Sequence, residues 1–173
     1  MDERYTLDGK FRIISGGQTG ADRAALDWAI AHGIALGGWC PKGRKTEEGT
    51  LPDKYTLRET PLSDYLQRTE WNVRDSDGTL IFTLSDRLDG GSLRTARFAD
   101  KLGKPWLHVR PGVHPKYVAG FLRRHGVTVL NVAGKRESTA PGIAVLTRRI
   151  LEEALDRAMP FRARGQQTLA DIS

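Results

Sequence analysis

Phe11-Arg12-Ile13-Ile14-Ser15 running straight into Gly16-Gly17-Gln18-Thr19-Gly20-Ala21-Asp22 is the stretch on which the fold turns. The first five residues read as a buried strand, and the glycines end it abruptly. From Ala21 to His32, Ala21, Ala24, Ala25, Trp28 and Ala29 recur at helical spacing, with Gly33 as the stop signal. A buried strand joined by a glycine turn to a helix is the opening of a parallel βαβ unit, and the rest of the chain repeats that alternation.

Ile34 to Cys40 reads as a second, glycine-rich strand. Residues 41–62 carry four turn signals (Pro41, Gly43, Gly49 and Pro52), which predicts a long functional loop. Ser63–Asp75 reads as a helix with Tyr65, Leu66 and Val73 inward, Thr79–Thr83 as a strand and Leu93–Leu102 as a helix. Pro105–Val109 is a strand, His114–His125 a helix ended by Gly126, Val127–Val132 a strand, and Gly142–Ala158 a final amphipathic helix stopped by Pro160. The expected fold is therefore α/β: a Rossmann-like three-layer sandwich with a mostly parallel central sheet and helices on both faces. Right-handed crossovers collect the strand-to-helix loops at one sheet edge, where a site is expected.

With 173 residues the chain is long enough for one domain, read as 1–160, followed by a flexible basic tail, 161–173. Asp27, Arg74 and Asp100 interrupt every candidate for the roughly 20 apolar residues of a membrane span. The start, MDERYTLDGK, has no apolar signal-peptide region, and the single cysteine, Cys40, excludes an internal disulfide framework. A cytoplasmic location with no membrane contact is expected. The net charge is +6, and residues 111–173 hold ten basic against five acidic side chains. No dense basic run is interleaved with aromatics, so the charge reads as a solvated face and nucleic acid is not the favoured partner.

Four loops could carry chemistry. In Gly16-Gly17-Gln18-Thr19-Gly20-Ala21-Asp22 the glycines allow backbone N–H groups at a helix start to approach an anion, with Gln18 and Thr19 as added donors. It is not a dinucleotide fingerprint, because G-x-G-x-x-G is absent. Gly38–Gly43 begins like a P-loop, but Arg44 stands where lysine is required, which argues against ATP hydrolysis. Lys42, Arg44 and Lys45 could still offer positive charge, or simply keep the loop soluble. Asp89-Gly90-Gly91-Ser92 leads into Leu93-Arg94-Thr95 and repeats the glycine-and-hydroxyl helix start. The fourth, Asn131 to Ser138, could supply Arg136 and Ser138 to the same ligand. The four histidines form no ligand spacing, no nucleophile elbow exists, and no two carboxylates stand at a decisive spacing. The inventory describes a binding site for a small anion better than a catalytic or metal site.

The segments IISGGQTGADRAALDWAI, GGWCPKGRKTEEG, RTEWNVRDSDGTLIF, GGSLRT, LGKPW and LNVAGKRES, the last followed two residues later by PGI, succeed one another between residues 11 and 158. Together they resemble the molybdenum carrier family, the YpsA-related branch of the SLOG superfamily. The resemblance implies a Rossmann-like fold and an anionic pterin-derived or nucleotide-like ligand, the namesake cargo being molybdenum cofactor, a phosphorylated pyranopterin. It places Gly16, Gly17, Gln18, Thr19, Gly20 and Asp22 on the first ligand loop, and Gly90, Gly91, Ser92, Arg94 and Thr95 on the second. Gly134 to Ser138 fall on the last, while Lys42, Arg44 and Arg136 would offset remaining ligand charge. A homo-oligomer, dimer or tetramer, and delivery to molybdoenzymes or cofactor-insertion proteins are implied as well.

Two positions depart from related patterns. Phe98 stands where the distant LOG phosphoribohydrolases carry a catalytic glutamate, and Lys135 stands where proline is expected. A nucleoside-monophosphate hydrolase of LOG type is the enzymatic alternative, needing a substitute carboxylate such as Glu59 or Glu70. Single-stranded nucleic-acid binding is the third reading.

Overall fold

The structure, a computed structural model, describes residues 3–157. A central sheet is built from β2 (Arg12–Ile14), β3 (Ala35–Gly37), β8 (Gly78–Phe82), β9 (Trp106–Val109) and β10 (Val129–Gly134). Its spatial order is β3-β2-β10-β8-β9, and every neighbouring pair is parallel. Five helices accompany it: α1 (Ala21–His32), α2 (Tyr65–Arg74), α3 (Gly90–Leu102), α4 (Pro115–His125) and α5 (Ile143–Ala154).

Alternation along the strands divides the two faces. Ile13, Leu80, Phe82, Leu130 and Val132 join the main core with Trp28 of α1, Leu122 of α4 and Ile150 of α5. The intervening residues point the other way, toward α3, and among them Asn131 lies opposite Thr79 in the register and donates to its hydroxyl at 3.2 Å. Both are buried. A buried, mutually bonded polar pair at the centre of the sheet marks the face to search for a site.

Counted from β10 and continued through the chain ends to β2, β3, β8 and β9, the spatial order becomes 3-2-1-4-5, the doubly wound arrangement. Two short strands unforeseen in the sequence, β1 (Tyr5–Leu7) and β11 (Leu155–Arg157), pair in parallel and draw the two ends of the described chain together. The topological switch therefore falls beside β10, with its neighbours β2 and β8.

Several boundaries differ from expectation for identifiable reasons. The final helix stops at Ala154 because Leu155 turns to an extended backbone, buries its side chain and pairs with Tyr5. Ala158, Pro160 and the tail 161–173 lie outside the described residues. The strand expected at Ile34–Cys40 breaks at Gly38, where φ is +116° and a Cβ would stand 2.4 Å from Ser15 O. Beyond it, β4 (Trp39–Cys40) pairs with β7 (Arg58–Glu59) in a separate ribbon. The long loop holds a hairpin, β5 (Lys45–Thr46) and β6 (Gly49–Thr50), and its own small core of Leu26, Cys40, Leu51, Tyr55 and Leu57. The Tyr55 hydroxyl donates to Asp27 of α1 at 2.5 Å, and burial followed by this bond pushes the phenol up to about 12. In α2, Leu66 faces outward instead of inward, while Asn72 and Val73 are buried. The helix α3 starts three residues earlier than expected, at Gly90.

Candidate functional site

A cleft of about 560 Å³ opens where the C-terminal ends of β2, β10 and β8 meet. That volume is in the range of small-molecule sites, and its place beside the switch point is where open α/β sheets bind ligands. Gly16, Gln18 and Asp22 reach it from the β2–α1 loop, and Tyr65, Arg68 and Asn72 from α2. Gly91, Ser92, Arg94 and Thr95 come from the first turn of α3, and Asn131, Gly134, Lys135 and Arg136 from β10 and the loop after it.

At the centre stands an ion pair. Arg68 Nη1 donates to Asp22 Oδ2 at 2.9 Å, with side chains 12% and 5% exposed. The guanidinium lies over Gly16, where a Cβ would come within 1.6 Å of Nη1, so glycine is what lets Arg68 cross the loop. Burial pushes the Asp22 carboxyl above its ordinary value; Arg68 draws it back down by charge and by its hydrogen bond. The cation also stacks on Tyr65, its Cζ 5.2 Å from the ring centre, and Arg136 sits on the same ring at 5.1 Å. Arg68 is the chief residue that sequence reading missed. It lies 46 positions from Asp22, and nothing local distinguishes it from other helical arginines.

The two glycine-rich helix starts behave differently. In the β2–α1 loop four amides are already taken: Gly17 N–H donates to Ser15 Oγ at 3.2 Å, Gln18 N–H to Asp22 Oδ2 at 3.2 Å, Thr19 N–H to Gln18 Oε1 at 3.1 Å and Ala21 N–H to Lys135 O at 3.2 Å. Those four donors are spent within the loop or on the neighbouring β10–α5 loop. In α3 the first amide with a backbone partner is Leu93, which donates to Asp89 O at 3.1 Å, so the N–H groups of Gly90, Gly91 and Ser92 precede the first helical bond. Ser92 Oγ is buried with no partner among the described residues. Lys135 reaches over from the β10 loop to pair with Asp89, whereas Arg94 and Arg136 form no ion pair among the described residues. An anion could be accommodated at α3, where the helix dipole and the guanidiniums of Arg94 and Arg136 border one cleft.

The remaining expected residues sit elsewhere. Thr19 and Ser138 both donate their hydroxyls to the Glu47 carboxylate at the tip of the β5–β6 hairpin, and Glu47 N–H donates to Gln18 Oε1 at 3.0 Å. These bonds, from Ser138 first and then Thr19, hold the Glu47 carboxyl below its ordinary value. Glu47 thus braces the β2–α1 and β10–α5 loops from outside the cleft. Gly20 marks where those loops touch: φ is +80° and a Cβ would lie 2.3 Å from Lys135 O. Gly17 rests on Leu51 and Leu57 of the long loop. Gly90 opens α3 but does not line the cleft.

Arg44 does not line the cleft. Its guanidinium donates to the carbonyls of Leu51, Leu57, Pro52 and Tyr55 at 2.8–3.2 Å, which spends it on holding the long loop. Lys42 is exposed and does not line the cleft either. Glu59 accepts from Gly43 N–H at 2.7 Å, and neither Glu59 nor Glu70 lines the cleft, whose carboxylates are Asp22 and Asp64. Among the described residues no group of three or more His, Cys, Asp or Glu side chains is placed to hold a metal ion, and no helix is long and apolar enough to cross a membrane.

Comparison with known proteins agrees with this architecture. A crystal structure named "Putative molybdenum carrier protein", from Syntrophus aciditrophicus SB, is 49% identical, covers 82% of this chain and 92% of its own, and superposes with a TM-score of 0.78. A likeness to (E)-4-hydroxy-3-methyl-but-2-enyl diphosphate reductase, at 12% identity over 84% of this chain and 60% of the reductase, reaches a TM-score of 0.38 and carries no argument. Among curated proteins no match is found. The profile of the circularly permutated YpsA SLOG family matches residues 13–155, the span that holds the whole parallel sheet apart from Arg12, and the chain belongs to that family.

Proposed function

We propose that this protein is a carrier: it binds and shelters a small phosphorylated ligand, molybdenum cofactor or a related pterin or nucleotide, in the cleft at the ends of β2, β10 and β8. The observation that carries the reading is the amino end of α3, where amides that precede the first helical bond, a Ser92 hydroxyl with no partner among the described residues and the Arg94 and Arg136 guanidiniums border one cavity. Those groups fit a phosphate, which presents several acceptor oxygens and a double negative charge. The name of the Syntrophus protein supports the molybdenum-related choice among phosphorylated ligands. A carrier also needs no nucleophile, and Phe98 in place of a glutamate disfavours hydrolysis of the LOG type.

The deciding experiment is mass spectrometry of small molecules released by acid from freshly purified protein, with molybdenum quantified in the same sample. A pterin with about one metal per chain is the expected result. A nucleotide without molybdenum would overturn the cofactor assignment while leaving the phosphate grip. Empty protein that takes up neither added cofactor nor phosphate would overturn both.

A further inference from the structure

The cleft holds a second set of polar atoms that a phosphate at α3 does not use. Asp22 and Gln18 are 4% and 5% exposed. Asp22 Oδ2 accepts from Gln18 N–H at 3.2 Å and from Arg68 Nη1 at 2.9 Å, while Oδ1 accepts from none of the described residues. Beside it, Gln18 Nε2 and Arg68 Nε are buried donors with no partner among the described residues. The orientation of the Gln18 amide is fixed by its neighbours, since Oε1 accepts backbone N–H groups from both Thr19 and Glu47, which leaves Nε2 as the free end. Arg68 is likewise held, by Asp22 on one side and the Tyr65 ring on another.

A buried donor without a partner is costly, and here two of them belong to cleft residues that bond, through other atoms, the one carboxylate with an open oxygen. The group that satisfies all three atoms offers an N–H next to an acceptor. We infer that this side of the cleft reads a lactam edge, a ring N–H adjoining a ring carbonyl, on the heterocycle of the bound ligand. The ring N–H donates to Asp22 Oδ1, and the carbonyl accepts from Gln18 Nε2 and Arg68 Nε. Oxo-heterocycles of the hypoxanthine, guanine and pterin type carry that edge. The inference rests on the cleft being the site of a phosphorylated ligand, and it narrows the ligand to those whose ring is a lactam.

The test isolates the edge with ligands and so does not depend on any variant folding. Calorimetric titration compares inosine 5′-monophosphate, purine riboside 5′-monophosphate (the same molecule without the lactam) and ribose 5-phosphate. The expected result is binding of the first at least about tenfold tighter than the second, as for the loss of hydrogen bonds to a charged site. Equal affinity of all three ligands for the wild type overturns the lactam edge and leaves the phosphate site standing. Binding of none of them, nor of inorganic phosphate, overturns both.

Discussion

Asp22 and Arg68 show what a buried ion pair asks of its surroundings. Two charges are held together out of water, and removing one leaves the other uncompensated, typically at a cost of about 3–5 kcal/mol. Arg68→Met is therefore expected to lower the free energy of unfolding by roughly that amount, read from urea denaturation at pH 7. The pH dependence has a definite sign. Burial already raises the Asp22 carboxyl above 3.8, and losing the guanidinium raises it further. Between the unfolded and folded values the native state binds more protons than the unfolded chain, so stability falls as pH rises through that window. The variant should recover part of its loss when the pH is lowered from 7 toward 4, more than the wild type gains; equal pH slopes for the two proteins would remove the uncompensated-carboxylate account. Little of this was legible in the sequence. The glycines at 16, 17 and 20 announced a strand-to-helix junction, but they did not reveal that Gly16 is small to admit an arginine from another helix.

The same limit governs the elements. Strands and helices with strong patterns, such as β8 with all five residues buried or α1 with its Gly33 stop, could be located from periodicity alone. The ends of α5 and of the second strand could not, because each depends on a distant partner: Tyr5 for Leu155, Ser15 for Gly38. The loop 41–62 was identified as a loop, yet its hairpin and its task of bracing came from contacts no local rule contains. Its tip residue Glu47 accepts from two hydroxyls on two different loops. A glutamine there retains one acceptor and loses the charge, so Glu47→Gln should loosen the seam between the β2–α1 and β10–α5 loops. Because the folded-state carboxyl lies below 4.5, the unfolded chain binds more protons and the contribution grows with pH. The stability gap between wild type and variant should be fully present above pH 4.5 and shrink as acid titrates the folded carboxylate, and faster amide hydrogen exchange in residues 134–139 of the variant should accompany it. A gap that stays constant from pH 7 to pH 3 would assign the effect to something other than that charge.

At the level of the whole molecule, the fold class was legible because alternating strand and helix patterns leave few other arrangements. The strand order was not, since hydrophobic pattern says which face is buried and nothing about which neighbour is chosen. The order β3-β2-β10-β8-β9 is a doubly wound sheet whose first strand has been moved to the end of the chain, and β1 with β11 marks the seam where the old connection would run. If the sheet and its packing determine the fold and the chain order does not, the permutation should be reversible. Opening the chain between His125 and Gly126 makes β10 the first strand and keeps the Val127 N–H bond to Leu122 O available across the break. Joining Arg157, which lies beside Leu7, to Glu3 must then retrace four residues of β1 and the segment before it, about 13 Å at 3.3 Å per residue, which a Gly/Ser linker of about six residues spans. Loop closure differs only logarithmically with length, so the permuted protein should unfold cooperatively with a free energy within about 2 kcal/mol of the original. It should also bind the proposed phosphorylated ligand as the original does, because every cleft residue keeps its neighbours. Failure to give a single cooperative urea transition would show that the α4–β10 connection is itself required for folding, and that the seam is more than a relic of chain order.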